Sequence, residues 1–222
     1  MVTQYIFLIC SIIISVIIGA IPTGFIVGKL KGIDIRKVGS GNIGATNTLR
    51  ALGIKAGIIV LLIDVFKSYI TLFVMNLLIS KYFDLYIINK NIFVLIIGFA
   101  VIFGNTFNPF LKFKGGKGVA TSLGVFLFLN PLIIFITLFL FLIVVSTTGF
   151  VSLGSILSVI FVFFLSFFIK PDLYFSIFTF FVAYIIIFKH RENIKRLIKK
   201  EENKISFKKK WIQIKMKKYI TL

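Results

Sequence analysis

The sequence predicts an all-α, polytopic integral membrane protein of about seven transmembrane helices, with the N-terminus outside and the C-terminus cytoplasmic. Three observations carry that prediction. Mean hydropathy is +1.06 and 59% of the 222 residues are hydrophobic; a soluble core has no use for so much apolar surface. Several apolar runs approach or exceed the roughly 20 residues that a helix needs to cross the hydrocarbon. The basic residues are bunched on alternate connections, as the positive-inside rule requires.

Residues 4–27 form the first span. Its far end, GAIPTGFIVGKL, sets Pro22 among Gly19, Gly24 and Gly28, which kinks or loosens the helix as it reaches the surface. No basic residue precedes Lys29, so the charged region of a signal peptide is missing and the span reads as retained. A polar stretch, 29–55, follows. The second span, 56–79, holds Asp64 and Lys67 on one helical face. Intramembrane charges face a bundle interior or a polar cavity, so this pair reads as a helix-holding ion pair, as the border of a site, or as both. A short polar connection, 81–91, leads to the third span, 92–107, and to a second basic, glycine-rich loop, 108–118. The apolar region 119–145 is interrupted by Asn130-Pro131, a turn-forming pair, and so divides into two short helices. Thr147-Thr148-Gly149 turns the chain into a span at 150–169, and Lys170-Pro171-Asp172 into the last, at 173–188.

Charge fixes the parity of this layout. With the break at Asn130-Pro131, the basic loops and the basic tail from Lys189 share one face, and the other receives Lys81, Lys90 and Lys170. An unbroken helix across 119–145 separates the tail from the loops. A helix over 119–129 is about 16 Å long, too short to cross alone, and is expected as a partial or tilted helix inside the bundle. The chain divides into a membrane domain, 1–202, and a basic cytoplasmic tail, 203–222. In the tail, lysines alternate with Ile, Trp211 and Met216, as in a surface helix or a dispensable lipid-facing extension.

Much chemistry is excluded. The single cysteine, Cys10, lies in the first span, so there is no intrachain disulfide and no cysteine-based metal site. A single histidine, His190, rules out most histidine metal clusters. The net charge of +19 reads as topology plus attraction to anionic lipid headgroups, with no nucleic acid as partner.

Three polar constellations remain. In DIRKVGSGNIGATNTLRALG, over 34–53, Gly39, Gly41 and Gly44 let backbone N–H groups converge on a ligand. Ser40, Asn42 and Asn47 add neutral hydrogen-bonding groups, Arg50 adds a planar fork for phosphate or carboxylate, and Asp34 and Arg36 frame the loop. In KFKGGKG, over 112–118, Gly115, Gly116 and Gly118 surround Lys117 just before a helix start, a combination that suits phosphate. It is not a Walker loop, because Gly118 stands where a magnesium-binding hydroxyl belongs. In HRENIKR, over 190–196, His190, Asn193 and Arg196 recur every three residues along one helical face.

Together GSGNIGATN…R, FKGGKGVAT and HRENIKRL resemble, in order and spacing over nearly the whole chain, the three signature motifs of the bacterial acyl-phosphate-dependent glycerol-3-phosphate acyltransferases, the PlsY family. The resemblance implies a seven-helix, multi-pass enzyme of the bacterial inner membrane whose active site faces the cytoplasm. It implies transfer of a fatty acyl group from acyl-phosphate to the 1-hydroxyl of sn-glycerol 3-phosphate, giving lysophosphatidic acid and phosphate, the first step of phospholipid synthesis. No cofactor or metal is implied, and a functional link to the enzyme that makes acyl-phosphate is. Ser40, Arg50, Lys117, His190 and Asn193 are then the expected catalytic set. Gly39, Gly41, Asn42, Asn47, Gly115, Gly116 and Gly118 are expected to bind substrate or phosphate, with Asp34, Asp64, Lys67 and Glu202 in support. The chain departs from the family at Gly104-Asn105, where Gly-His is usual, at Lys200, where Gly precedes the final Glu (here Glu202), and at Gly19-Ala20, where Gly-Ser is common.

Since a mixed anhydride is already activated, the protein's work is positioning and electrostatics. Ser40 and Asn47 are expected to orient the donor, His190 and Asn193 the acceptor, and the hydroxyl to attack the acyl carbonyl directly. Ser40 as an acylated nucleophile is the alternative, without an evident base partner, and either His190 or a substrate phosphate is the base. Lys195 stands where an HxxxxD acyltransferase has Asp. The rival class, an anion transporter, requires loops reachable from both faces, whereas the charge map puts all three on one.

Overall fold

The computed structural model describes residues 2–82 and 89–205, and among these every regular element is helical. The first apolar run is divided at Ile21-Pro22 into α1 (Val2–Ala20) and α2 (Thr23–Leu30), because proline cannot continue the N–H ladder. The polar stretch expected as a loop contains a helix, α3 (Ala45–Leu52), and Arg50 lies within it. Then come α4 (Ile54–Tyr82), α5 (Lys90–Thr106), α6 (Val119–Leu129), α7 (Pro131–Thr148), α8 (Val151–Ile169), α9 (Leu173–Lys189) and α10 (Arg191–Ile198).

The breaks have local causes. Asn130 caps α7 by accepting from the Ile133 N–H at 3.2 Å, with Pro131 in the first turn, where its missing N–H has no partner to lose. Asp172 caps α9 through the Phe175 N–H at 2.7 Å. Gly149, at φ 79°, ends α7 in the left-handed region.

By length and composition, five of the described helical segments can cross a membrane: 2–30, α4, 90–111, α7 and α8. The pair α9 and α10, bent by 59°, makes a sixth when taken as one span. Helix α6, at 11 residues, is the short inner helix that its sequence length requires, and it packs on α4, α5 and α7. The middle of the 81–91 connection and the amphipathic reading of the tail fall on residues 83–88 and 206–222, outside the described residues.

Small residues set the helix spacing. A Cβ on Gly19 would meet the Val101 carbonyl, and one on Gly104 the Val16 carbonyl, so α1 and α5 touch backbone to backbone. Gly124 lets α6 approach α4 at Val65 in the same way. Close approach of this kind drives helix association where lipid supplies no hydrophobic force between helices. Phe93, Phe175, Leu72 and Val182 fill the bundle centre, while Phe66, Phe139, Phe168 and Tyr184 point outward, as a lipid-facing surface demands.

Asp64 and Lys67 form a buried ion pair at 2.8 Å. Lys67 also donates to the Gly19 and Ile21 carbonyls at 3.1 and 2.9 Å, and Thr23 Oγ1 donates to Asp64 at 2.8 Å. The pair thus ties α4 to two carbonyls at the α1–α2 break, and this gives the intramembrane charges a structural role.

Candidate active site

A cavity of about 470 Å³ opens where α3, the loop before α6, and α10 meet. Its head is polar, with Ser40, Arg50, Lys117, His190, Asn193 and Glu202 in the wall. Its shaft runs between α4, α6, α7 and α8 and is lined by apolar side chains such as Leu61, Phe126, Leu138, Val145 and Val162. The three sequence constellations, far apart along the chain, therefore share one chamber.

The first loop is organised around Asn47. Its Oδ1 accepts from the Ser40 N–H at 2.9 Å, and its Nδ2 donates toward the carbonyls of Ile35, Val38 and Asn42 at 3.0, 3.0 and 2.8 Å. Both ends of this buried amide are committed to the loop. Gly39, at φ 62°, has the Asn47 Oδ1 where a Cβ would sit. Asn42 Oδ1 accepts from the Gly44 N–H at 2.8 Å, just before α3. Asp34 binds Arg36 at 2.7 Å, which holds its carboxyl below the usual range, and Arg36 lies over Phe25. Asp34, Gly39 and Gly41 stand behind the cavity wall, whereas Ser40, Asn42, Asn47 and Arg50 line it.

In the second loop the glycines answer to packing as well as to a ligand. The Gly116 N–H donates to the Asn105 carbonyl at 2.9 Å, so this N–H is not free for an anion. A Cβ on Gly115 would strike the same carbonyl. The loop is pressed against the end of α5, and Gly118, at φ 80°, turns it into α6. Lys117 and the N-terminus of α6 remain at the chamber, with Gly116 and Gly118 in its wall and Gly115 behind it. The initial N–H groups of α6 have no partner inside the helix. Burial, partly offset by Glu202, lowers the Lys117 ammonium to about 8.

The third constellation completes the head. Asn193 accepts from Lys117 Nζ and donates to Glu202 Oε1 at 2.8 Å. Glu202 also accepts from Ser152 on α8 at 3.1 Å and from Arg196 at 2.8 Å. Burial pushes the Glu202 carboxyl up, but the hydrogen bonds from Asn193 and Arg196, with the Arg196 charge, hold it below its ordinary value. His190, at the end of α9, places Nδ1 2.8 Å from the Ile186 carbonyl. A carbonyl only accepts, so the neutral ring carries its proton on Nδ1 and leaves Nε2 as an acceptor. Burial, then the charge of Lys117, lowers His190 to about 4. Arg50 is held below its usual range by burial; its Nη2 donates to the Asn203 carbonyl at 2.9 Å, and its Nε is buried without a partner.

Among the supporting residues, Asp64 borders the chamber and Lys67 does not. Asn105 lines it. Ser152 and Thr23 also reach it, and neither had a sequence signal, being single hydroxyls in apolar surroundings. Among the described residues no group of His, Cys, Asp and Glu is arranged to hold a metal ion.

The family model described as glycerol-3-phosphate acyltransferase matches residues 9–200. The chain belongs to the glycerol-3-phosphate acyltransferase family. It is 43% identical over 199 residues to the glycerol-3-phosphate acyltransferase of Fusobacterium nucleatum, covering 89% of this chain and 98% of that one. The Bacillus subtilis (strain 168) protein of the same name is 43% identical over 202 residues, covering 90% and 97%. Among solved structures, the integral membrane glycerol 3-phosphate acyltransferase PlsY (YgiH) in its glycerol 3-phosphate form superimposes with a TM-score of 0.81. It is 32% identical, and the match covers 90% of this chain and 96% of that one. The lysophosphatidic acid form gives 0.79 at 31% identity, with the same coverage. The chain is an integral membrane acyltransferase.

Proposed function

We propose that this acyltransferase takes its acyl group from acyl-phosphate and delivers it to the 1-hydroxyl of sn-glycerol 3-phosphate, releasing lysophosphatidic acid and phosphate. The observation that carries this reading is the shape of the chamber. One continuous cavity joins an apolar shaft, suited to a fatty chain, to a cationic head holding Arg50, Lys117 and the N-terminus of α6. An acyl-phosphate has that polarity, and the acceptor brings a second phosphate to the same head. We place the head at the cytoplasmic side of a bacterial inner membrane, because the basic loops and the tail share that end.

The chemistry follows from the groups present. The glycerol oxygen attacks the acyl carbonyl carbon and forms the ester C–O bond. The anhydride C–O bond breaks, and phosphate leaves with the electron pair. Lys117, Arg50 and the first N–H groups of α6 stabilise the charge that gathers on the leaving phosphate. Asn193 holds Lys117 in place, and Glu202 holds Asn193. His190, with its pKa near 4, is a weak base, and its Nε2 orients the acceptor hydroxyl. The proton passes to a substrate phosphate oxygen, whose second ionisation lies at about 6. Asn42 and Ser40 face the head, whereas Asn47 shapes the loop. No hydrogen bond joins Ser40 Oγ to a base among the described residues, which favours direct transfer over an acyl-enzyme.

Purified protein offered acyl-phosphate, acyl-CoA and acyl carrier protein thioester in parallel tests the donor. We expect product from acyl-phosphate alone. Transfer from acyl-CoA with none from acyl-phosphate overturns the donor assignment.

A further inference from the structure

We infer that residues 202–205, beyond the last helix, form a wall of the active site and position Arg50 through a main-chain carbonyl. The inference rests on the reading of Arg50 as a phosphate ligand. After α10 the chain reverses at Lys200, at φ 59°, and the Glu201 N–H closes the turn on the Arg196 carbonyl at 2.8 Å. Within the next four residues it is fastened to α8, α10, α3 and the α7–α8 turn. Glu202 binds Ser152 on α8 together with Asn193 and Arg196 on α10. The Asn203 carbonyl accepts from Arg50 Nη2 on α3. The Ile205 N–H donates to the Gly149 carbonyl, at the α7–α8 turn, at 2.8 Å. The Lys204 stem lies on Gly149, and its ammonium sits 5.4 Å from the centre of the Phe150 ring. Ile205 itself lines the chamber.

The type of acceptor matters. A carboxylate paired to Arg50 would neutralise the charge that a phosphate needs, and among the described residues no ion pair involves Arg50. A neutral carbonyl instead fixes the plane of the guanidinium, whose N–H groups form a rigid fork, and leaves its charge available. The buried, unpartnered Nε is a donor that still requires an acceptor, which a phosphate oxygen supplies. Asn203 is thus a positioning residue acting through its backbone, and Ile205 is the anchor that holds it there.

The test compares the full chain with a chain ending at Lys208, a chain ending at Glu202, and Ile205→Pro, which removes the N–H that reaches Gly149. Each is made with and without Arg50→Ala. The readouts are kcat and KM for glycerol 3-phosphate and the acyl donor, with melting temperature alongside. The chain ending at Lys208 should match the full chain within about twofold. The chain ending at Glu202 and Ile205→Pro should each lose about tenfold or more in kcat/KM, the value of a charge-assisted hydrogen bond. Neither loss should add to that of Arg50→Ala, since groups acting through one another are not additive. Unchanged kinetics in both, or losses that add fully to Arg50→Ala, overturn the inference. Normal turnover by Arg50→Ala alone overturns instead the reading of Arg50 as a phosphate ligand.

Discussion

At the scale of single residues, the site works by restraining charge. Lys117 is the clearest case, its ammonium lowered to about 8 by burial. Below that value it is protonated and binds phosphate; as pH rises through it, the charge and the binding are lost. The alkaline limb of kcat/KM for the free enzyme should therefore fall near pH 8, and Lys117→Arg should move it upward, because guanidinium stays charged. An alkaline limb unmoved by the arginine variant would contradict the assignment. His190 titrates in the opposite sense, losing its acceptor as pH falls toward 4. Buried charge also stabilises the fold through the Asp64–Lys67 pair. Lys67→Met strands Asp64 and should cost about 3–5 kcal/mol, with Asp64→Asn recovering much of the loss in the double variant, as read by thermal unfolding in detergent. Arg50, Lys117 and His190 were legible as candidates because charge amid small residues is rare in such an apolar chain. Asn47 was legible as important but not in its manner: only the folded loop shows its amide fully occupied by backbone. Ser152 was not legible, because its meaning depends on Glu202, fifty residues away.

At the scale of elements, two features depend on backbone geometry. The α1–α5 contact is one, with Gly19 and Gly104 each facing a carbonyl of the other helix. Gly19→Val should overpack it and cost about 1–3 kcal/mol or more, lowering the melting temperature and, with it, the yield of folded protein; a stable, fully active variant would show that the helices separate freely. The turn after α10 is the other. Lys200 sits at φ 59°, where a glycine carries no penalty and a side chain costs about 1–3 kcal/mol. This accounts for the departure at Lys200 from the family pattern as a strained but usable replacement. Periodicity marked the long helices, and Pro22 and Asn130-Pro131 marked the breaks. Helix α3 escaped because it is only 8 residues long, too short to be stable by propensity alone, and follows a glycine-rich run that reads as loop; its contacts with α4 stabilise it.

At the scale of the whole molecule, the helices enclose a chamber of mixed polarity, a cationic head on an apolar shaft. Charge placement along the sequence predicted that the three polar segments would share an end, and the fold joins them there. The bundle order and the shaft were not legible, because nearly every position in the long helices is apolar and one face cannot be told from another. The division of the sequence at 202–203 also falls within a segment that touches the site, since Asn203 and Ile205 contact Arg50 and the chamber. The central claim is that Arg50 and Lys117 form one phosphate-holding head for acyl transfer to glycerol 3-phosphate. The most direct measurement is the turnover of acyl-phosphate and glycerol 3-phosphate by purified Arg50→Ala and Lys117→Ala proteins of unchanged melting temperature. The account predicts a loss of about a hundredfold or more in kcat/KM for each, as expected when a donor to developing charge is removed; near-normal turnover by both would contradict it.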